Sequence, residues 1–527
     1  MSTAAGPAST SPASGVAATP RLNSCAWLLD RRLDAGDGER VALRCDGVDH
    51  TYAGVARMVA SVAAALYASG VRREERVLLL LPDTPELVAC LLGAMRAGAV
   101  PVPLSTMLTA GELAFIAEDS GARLAVVSER FATAAAGIAR SPEIGGMVVV
   151  GDPAAVAVPE RVAVEAWSQW AQPAELAAPA ATTAESPAFW LYTSGTTGSP
   201  KAAMHRHADM PYTAGTYAAQ VLGIRPGDRC LSVAKLFFAY GLGNSLTFPF
   251  SVGASTVLNP GPPTPASVAE LVRREQPTLF FATPTFYAGL LAADLPADTF
   301  ASVRQGVSAG EPLPASILER FRECFGVEIL DGIGSTEALH IFLSNRPGRV
   351  HPGTSGTPVP GYEVRVVDDG GADVADGETG HLLVRGESMA TGYWCRTALN
   401  RRTFLGDWMR TGDVYTRSAD GVHTYCGRSD DMLKAGGIWV SPAEVEATLV
   451  AHPDVVEAAV VGRADDDGIV RPVAYVVVRA DRSVDAATLV DFCRERLAPF
   501  KRPRQVFFLA ELPKTATGKI QRYKLRG

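Results

Sequence analysis

The segment YTSGTTGSPK, from Tyr192 to Lys201, carries residue types that can hold a phosphate group. Its two glycines let the backbone approach an anion closely, and its hydroxyls and successive N–H groups can surround phosphate oxygens. Lys201 adds a compact positive charge. The spacing differs from that of the loop G-x-x-x-x-G-K-[ST], and an ordinary surface loop has a similar composition. The segment therefore needs support from other parts of the chain.

A second segment, LDGIGSTE from Leu330 to Glu337, could contact a flat ligand and a metal ion. Gly332 and Gly334 leave room for such a ligand, and Glu337 can bind a hard cation such as Mg²⁺ through oxygen. The alternative is a helix N-terminus at which Ser335 caps the helix and Glu337 favours its dipole. Both interpretations remain open on this segment alone.

Three charged segments lie nearer the C-terminus: RTGD ends at Asp413, GRSD contains Arg428 and Asp430, and PKTATGK ends at Lys519. A carboxylate can bind the paired hydroxyls of a ribose, and a guanidinium group can bind phosphate. Taken singly, such residues are most often solvent-exposed charges on loops. Their interpretation depends on the elements that position them.

Short apolar runs alternate with longer helical patterns from about residue 40 onward. Val77–Leu81 is typical of a buried strand and Thr84–Ala97 of a helix. This alternation predicts parallel sheets covered on both faces, in which ligands bind after the carboxyl ends of strands. The loops after Tyr192 and Leu330 are therefore the expected ligand sites. Further strands are predicted at Ala99–Pro103, Leu124–Ser128, Met147–Val150, Phe189–Tyr192, Ala254–Leu258, Thr278–Phe281 and Val327–Leu330.

The pattern changes near residue 410, where the stretch from Asp407 to Gly437 is loop-rich and charged. Ser441 then begins a capping-box pattern with Pro442 at the first helical position. We predict a disordered tail over residues 1–20, an N-terminal domain over 21–429 and an α+β domain over 430–527. The last domain is predicted to contain strands at Val455–Val461, Val473–Val478 and Val506–Leu509, and a helix around Ala487–Leu497.

The composition excludes several classes of protein. Of 527 residues, 47% are hydrophobic and 20% charged, so the chain can bury a large core. A net charge of −7 provides no basic field for nucleic acid or an anionic membrane. Eight scattered cysteines without a C-x-x-C pair favour free thiols in a reducing cytosol. The first twenty residues have neither the basic start nor the apolar stretch of a signal peptide, and the most apolar stretch, from Val77 to Leu104, is interrupted by charged residues and prolines. We therefore expect a soluble cytoplasmic protein without nucleic-acid or membrane partners.

In this order and spacing, the segments resemble the motifs of the adenylate-forming acyl-CoA synthetase superfamily, from about Leu22 to Arg526. YTSGTTGSPK is similar to its phosphate loop, DGIGSTE to its adenine and magnesium motif, RTGD to its ribose motif, GRSDDMLKAGG to its hinge, and PKTATGKI to its catalytic-lysine loop. The stretches starting at Lys235 (KLFFAYGLGNSLTFPFSVGA) and Gly332 (GIGSTEALHIFLSN) resemble the benzoate–CoA ligase group. The resemblance implies an α/β fold. A large N-terminal domain would hold parallel and mixed sheets covered by helices, and a small mobile α+β C-terminal domain would follow.

The resemblance also assigns site residues. Lys519, Glu337 and Thr336 would be catalytic, with Glu337 as the Mg²⁺ ligand and Asp430 as the hinge. ATP or AMP would contact Thr193, Ser194, Gly195, Thr196, Thr197, Gly198, Lys201, Gly310, Glu311, Asp331, Gly332, Ile333, Asp413 and Arg428. The acid pocket would be lined by Phe238, Ala239, Tyr240, Gly241, Ile333, Gly334, Leu339 and His340, although the aromatic residues among them also suit an ordinary core.

The implied reaction is ATP-dependent activation of a small aromatic, benzoate-like acid to an acyl-adenylate. Transfer to CoA then gives aryl-CoA, AMP and pyrophosphate, with ATP, Mg²⁺ and CoA as cofactors. Joining two anions requires positive charge and oriented N–H groups. Lys519 would bridge the carboxylate and the α-phosphate, then leave by domain rotation so that the thiol can enter.

Four alternative functions share features with this reaction. Transfer to the phosphopantetheine arm of an acyl-carrier protein remains open, because that thiol and CoA share the same arm. An amino-acid-activating enzyme normally has an acidic residue in the segment equivalent to Phe237–Tyr240, and none is present. A fatty acyl-CoA enzyme is less favoured, since nothing in this segment indicates a long alkyl tunnel. The presence of Glu337 and Lys519 argues against a non-catalytic nucleotide-binding protein.

Overall fold

The computed structural model describes residues 20–194, 200–429, 432–435, 438–464, 470–479, 482–499, 501–514 and 520–526. The predicted tail lies outside these ranges except for Pro20. No helix within the described ranges is both long enough and apolar enough to cross a membrane.

The strands and helices follow each other along the chain in mixed order. The strands are β1 (Val41–Cys45), β2 (Val48–Thr51), β3 (Arg76–Leu80), β4 (Val100–Pro103), β5 (Leu124–Ser128), β6 (Gly146–Val150), β7 (Ala163–Ala166), β8 (Pro187–Ser194), β9 (Pro200–Arg206), β10 (Arg229–Ser232), β11 (Ser255–Leu258), β12 (Leu279–Ala282), β13 (Gln305–Ser308), β14 (Ile329–Gly334), β15 (Ile341–Ser344), β16 (Thr357–Pro358), β17 (Glu363–Val367), β18 (Thr379–Arg385), β19 (Phe404–Leu405), β20 (Trp408–Arg417), β21 (His423–Arg428), β22 (Leu433–Ala435), β23 (Ile438–Val440), β24 (Val455–Ala464), β25 (Val470–Val478) and β26 (Gln505–Phe508). The α-helices are α1 (Arg31–Asp34), α2 (Tyr52–Ala68), α3 (Pro85–Ala97), α4 (Ala110–Ser120), α5 (Ala132–Ala135), α6 (Trp167–Trp170), α7 (Asp209–Thr213), α8 (Ala239–Leu242), α9 (Phe248–Val252), α10 (Pro265–Glu275), α11 (Pro284–Ala292), α12 (Ala315–Phe325), α13 (Thr397–Thr403), α14 (Pro442–Val450) and α15 (Ala486–Arg494).

The first sheet is built from one contiguous part of the chain, between β3 and β7. Its strands lie in the order β4-β3-β5-β6-β7, and every neighbouring pair is parallel. All residues of β5 are buried, as expected for a parallel strand covered on both faces. Helix α3 begins at Pro85 and ends at Ala97, and Gly98 caps it in a left-handed conformation at φ 77°. The predicted strands and helix in this part of the chain are confirmed.

The second sheet is mixed and joins distant parts of the chain. Its order is β16-β15-β14-β13-β12-β10-β11-β1-β2. The strands from β14 to β1 pair in parallel, whereas β15, β16 and β2 are antiparallel additions at the edges. The carboxyl ends of β13 and β14 lie side by side, with Ser308 opposite Asp331. Such an edge is where open α/β sheets bind ligands.

Two predictions of local structure are wrong. Phe189–Tyr192 belongs to β8, which pairs antiparallel with β9 in a hairpin instead of joining a parallel sheet. The stretch predicted to be loop-rich contains β20, β21 and β22, the first two within an antiparallel sheet with β17, β18 and β19. Several residues of β20 are only half-buried. Half-exposed antiparallel strands carry charged residues, which hid this strand from a search for apolar runs.

The C-terminal part has its own sheet and apolar core. β25 pairs antiparallel with β24 and parallel with β26, and buried residues of α14 and α15 complete the core. Ser441 accepts a hydrogen bond from the Glu444 backbone N at the start of α14, and Pro442 is the first helical residue, as predicted. The Glu444 carboxylate forms an ion pair with Lys501 at 2.7 Å, so this side chain stabilises a contact with a later segment.

Candidate active site

Strands β8 and β9 form a hairpin whose tip is the predicted phosphate loop. Thr193 pairs with Lys201 and Ser194 with Pro200, so these residues flank the tip. The tip itself, residues 195–199, lies outside the described residues. The same is true of four predicted phosphate ligands: Gly195, Thr196, Thr197 and Gly198.

The hairpin is tied to its surroundings through Asp119, near the end of α4. Tyr192 Oη donates to Asp119 Oδ2 at 2.7 Å, and Arg396 donates to Asp119 Oδ1 at 2.7 Å. Trp394 Nε1 donates to the Asp119 carbonyl at 2.9 Å. Burial raises the pKa of Tyr192, which keeps the phenol protonated and able to donate. The strand leading into the phosphate loop is therefore held in a fixed position.

Strand β14 carries three predicted adenine-site residues, Asp331, Gly332 and Ile333. Asp331 is buried, and its Oδ1 has no hydrogen-bond partner within the described part of the chain. Burial raises the pKa of Asp331 to about 8, so the carboxyl group is mostly protonated at neutral pH. A protonated carboxyl group can both donate and accept a hydrogen bond, which suits the edge of a purine base.

Glu337, the predicted metal ligand, lies in a cluster with the predicted phosphate lysine. Lys201 Nζ is 3.6 Å from Glu337 Oε1, and the Tyr393 hydroxyl contacts both groups. Burial lowers the pKa of Lys201, and the charge of Glu337 opposes this shift. Tyr393 was missed by the sequence analysis, because it lies far from both partners in the chain and its neighbours carry no recognised chemical pattern.

His205 is a second missed residue, and it ties the hairpin to the turn that follows β14. The buried His205 ring bonds to Asp209 Oδ2 through Nδ1 and to the Thr336 carbonyl through Nε2, each at 2.8 Å. The backbone of Thr336, predicted to be catalytic, is thereby fixed relative to β9. The H-x-x-x-D spacing was visible in the sequence, but it gave no indication of Thr336.

Gly310 and Glu311 follow β13. Gly310 has φ 98°, a conformation that favours glycine. Glu311 Oε2 accepts hydrogen bonds from the hydroxyl and backbone N of Thr285, at 2.7 and 3.3 Å. Burial raises the pKa of Glu311, and the positive charge of Lys514 acts in the opposite direction. The start of the predicted catalytic-lysine loop therefore lies near this residue, whereas Lys519 is outside the described residues.

Asp413 and Arg428 lie opposite each other on β20 and β21. Arg428 Nη1 donates to Asp413 Oδ1 at 2.9 Å and to the Thr411 carbonyl at 3.0 Å. Burial has the largest effect on the pKa of Lys201 and lowers it, whereas the interactions with Glu337 raise it. The charge of Arg428 has a smaller effect and lowers it. The predicted ribose and phosphate residues thus act on the same region as the hairpin. The predicted hinge, Asp430, is outside the described residues.

The predicted acid-binding segment forms the short helix α8. Phe238 precedes the helix as its N-cap residue, and Ala239, Tyr240 and Gly241 lie within it. The Tyr240 hydroxyl donates to the Val307 carbonyl of β13 at 3.1 Å. The phenol is therefore held by the sheet beside the predicted adenine residues.

His340, the second polar candidate in the acid pocket, lies against Tyr240 with 5.5 Å between ring centroids. Its Nε2 bonds to Asn244 Oδ1 at 3.1 Å, and burial lowers the pKa of His340 to about 3. The ring is therefore neutral at physiological pH. Leu339 before it is buried at φ 66°, which is rare for a bulky side chain and marks a constrained turn.

The glycines of the predicted pocket are points of close backbone contact. A Cβ atom at Gly241 would lie 2.0 Å from the Lys235 carbonyl oxygen, and one at Gly334 would lie 2.4 Å from that of His340. At Gly332 it would lie 2.7 Å from a carbonyl oxygen of β15. The absent side chains therefore make room for neighbouring backbone, whereas Gly332 and Gly334 were predicted to make room for a flat ligand.

The donor set around Glu337 suits a metal ion that arrives with a phosphate ligand. Within the described ranges, no three His, Cys, Asp or Glu side chains are grouped to hold a metal ion. Mg²⁺ commonly uses one or two carboxylates and completes its shell with water and substrate phosphates. Glu337, next to the phosphate-loop lysine, fits this mode of binding.

The fold and this arrangement define a known class of protein. A family model described as AMP-binding enzyme matches residues 30–394, and one described as AMP-binding enzyme C-terminal domain matches residues 444–519. The chain therefore belongs to the AMP-binding enzyme family, and the resemblance seen in its motifs is confirmed.

Within this family, the chain is similar to aryl-acid CoA ligases. It is 44% identical over 513 residues to the benzoate–CoA ligase of Thauera aromatica, with 96% of each chain covered. The structure of a benzoate CoA ligase from Burkholderia xenovorans LB400 matches with a TM-score of 0.88 at 43% identity, covering 96% of this chain and 100% of that one. The anthranilate CoA ligase AuaEII in complex with anthranoyl-AMP matches with a TM-score of 0.90 at 40% identity, covering 96% of each chain. The predicted fold class is confirmed, as is the relation to the benzoate–CoA ligase group.

Proposed function

We propose that this protein is an AMP-forming aryl acid–CoA ligase that activates benzoate or a simply substituted benzoate. In the first half-reaction, a carboxylate oxygen bonds to the α-phosphorus of ATP as the bond to pyrophosphate breaks. In the second, the CoA sulfur bonds to the acyl carbon as AMP leaves. The full-length similarity to a benzoate–CoA ligase supports this substrate class.

The proposal rests on two residues of the turn between β14 and β15 and on what they contact. Glu337 of this turn contacts Lys201, and His340, three residues later, packs against Tyr240 of the acid segment. One turn thus connects the proposed phosphate region with the proposed aryl region. Such proximity lets a bound acid and the triphosphate be oriented for reaction.

Lys201 and Arg428 would supply positive charge near the triphosphate. The two cations act in the same region, because the charge of Arg428 lowers the pKa of Lys201. When bound, Mg²⁺ would add positive charge at the phosphates, and Glu337 would hold it. Lys519 would neutralise the acid and the α-phosphate where the new bond forms.

The acid pocket suits an uncharged aromatic ring. Phe238, Ala239 and Tyr240 offer apolar surface, and residues 237–241 contain no acidic side chain to pair with an ammonium group. Ile333, Gly334 and Leu339 complete the proposed pocket with His340. His340 is neutral, so it would contribute hydrogen bonding or packing and no charge.

Pyrophosphate exchange over a panel of acids tests the proposal. We expect exchange to be fastest with benzoate or a hydroxy- or aminobenzoate, and far slower with cinnamate, octanoate and amino acids. Faster exchange with octanoate than with benzoate would exclude an aryl pocket. Thioester formation should follow with CoA; formation only with a phosphopantetheinylated carrier protein would replace the proposed acceptor.

The two-domain division at residue 430 and its hinge are also part of the proposal. Proline fixes φ near about −65° and lacks a backbone donor, so Asp430→Pro should hold the C-terminal domain in one orientation. We expect adenylate formation to persist within a few-fold, while thioester formation from benzoyl-adenylate falls by two orders of magnitude or more. Stopped-flow measurement of each half-reaction would show this.

Asp430→Ala is the matched control for this variant, because it removes the same carboxylate and keeps backbone rotation. It should retain thioester formation. Near-normal turnover by Asp430→Pro would place the hinge at another residue.

The proposal also includes a cytoplasmic location. It is supported by the eight cysteines, all of which are unpaired, as is usual in a reducing compartment.

A further inference from the structure

Residues 391–394 lie along β9, where Tyr393 forms an isolated antiparallel bridge with Ala203. The Met204 N–H donates to the Gly392 carbonyl at 3.0 Å, and the Thr391 N–H donates to the Met204 carbonyl at 2.9 Å. The Trp394 N–H donates to the Ala202 carbonyl at 3.0 Å. This pairing sets the position of Tyr393 relative to Lys201.

The Tyr393 hydroxyl lies between the two charged groups of the proposed ATP site. It donates to Glu337 Oε1 at 2.6 Å and accepts from Lys201 Nζ at 2.7 Å. The lysine ammonium also lies 3.9 Å from the centroid of the Tyr393 ring.

Tyr393 is anchored independently of these two partners. Its backbone N–H donates to Asn400 Oδ1 at 2.7 Å, and Asn400 Nδ2 donates to its carbonyl at 2.9 Å. Tyr393 as a whole is 2% exposed, and its ring packs against Phe404 with 5.5 Å between centroids. The hydroxyl therefore stays in place when Lys201 or Glu337 changes partner.

We propose that Tyr393 is a positioning residue for ATP binding, an inference that rests on the proposed roles of Lys201 and Glu337. Before ATP binds, the phenol serves as the partner of the Lys201 ammonium and holds the Glu337 carboxylate by one oxygen. When the triphosphate binds, Lys201 exchanges the phenol for a phosphate oxygen. Glu337 keeps its bond to Tyr393 and hence its orientation.

The half-buried Lys201 ammonium and Glu337 carboxylate already form an ion pair at 3.6 Å, and without the hydroxyl they would close to hydrogen-bond distance. ATP would then have to break that pair before it could bind Lys201. The loss of one hydrogen bond to a charged group weakens binding by about tenfold or somewhat more.

Tyr393→Phe tests this role, because it keeps the ring and removes only the hydroxyl. We expect the Kd of ATP with Mg²⁺, measured by calorimetry without acid, to rise about tenfold. The KM for ATP in pyrophosphate exchange should rise by a similar factor, while kcat changes less than about threefold. Thioester formation from supplied benzoyl-adenylate should be unchanged.

Tyr52→Phe is the matched control, since the buried Tyr52 hydroxyl makes a 2.7 Å bond to the Ala254 carbonyl in a different part of the fold. This control should bind ATP normally. A double-mutant cycle with Glu337→Gln should show that the two effects are not additive, as expected if Tyr393 acts through Glu337.

An unchanged ATP Kd in Tyr393→Phe, or an additive cycle, would overturn the inference. An equal loss in the thioester step would mean general structural damage and would also overturn it. ATP binding is measured without an acid substrate, so the test is independent of acid specificity. A wild-type protein that binds ATP but shows no benzoate-dependent exchange would refute the proposed function and leave this test intact.

Discussion

Replacement of Lys519 by alanine should slow adenylate formation by about two to three orders of magnitude or more. Loss of a preorganised charge from a transition state costs about 3–4 kcal/mol, and more where two anions meet at one phosphorus. Thioester formation from supplied benzoyl-adenylate should fall much less, because in the proposed mechanism the loop leaves before the thiol enters. Pyrophosphate exchange and a single-turnover thioester assay would measure the two steps separately.

Lys514→Ala is a matched control for this variant. Lys514 lies in the same loop, five positions earlier, and forms an ion pair with Glu457 at 2.6 Å. We expect only a small effect on either half-reaction in this variant. Equal losses in both half-reactions for Lys519→Ala would contradict the role proposed for it.

Replacement of Gly334 by alanine should lower benzoate-dependent exchange by about a hundredfold. The added Cβ would lie 2.4 Å from the His340 carbonyl oxygen and 2.6 Å from its carbonyl carbon. Strands β14 and β15 would have to shift at this pair, and a displacement of about 1 Å in a catalytic arrangement can cost about a hundredfold in rate. Because Glu337 lies in the same turn, we expect weaker ATP binding as well.

Gly227→Ala is the control for this substitution, since no atom lies within 4 Å of a Cβ built at Gly227. It should leave exchange and thermal stability close to the wild type. Near-normal exchange by Gly334→Ala would show that the β14–β15 pair can relax. The close backbone contact at Gly334 would then not determine the geometry of the active site.

Much of the parallel sheets could be predicted from the sequence. A parallel strand is covered on both faces, so it is a continuous apolar run with recognisable ends. β5 was predicted over Leu124–Ser128 and has those bounds in the structure. The ends of such strands also indicated where Asp331 and its neighbours would lie.

The antiparallel parts and the contacts that organise the site were not predictable in this way. Six of the ten residues of β20 are only half-buried, and its charged side chains resembled those of a loop. Tyr393 reaches Lys201 and Glu337 only because residues 391–394 pair with β9. His205 contacts the backbone carbonyl of Thr336. Every residue has such a carbonyl, so no sequence motif could identify this partner.

The order of strands in the nine-stranded sheet also bears on how the protein folds during synthesis. β1 pairs with β11, so Val41–Cys45 must wait for Ser255–Leu258 before its parallel neighbour exists. At roughly 5–20 residues per second, the ribosome needs on the order of ten seconds or longer to make that partner. The five-stranded sheet between β3 and β7 needs no later segment for its strand pairs, so it can form in the meantime. The first strands of the chain are therefore completed after the five-stranded sheet, and until then the edge of β1 that pairs with β11 is accessible to a chaperone.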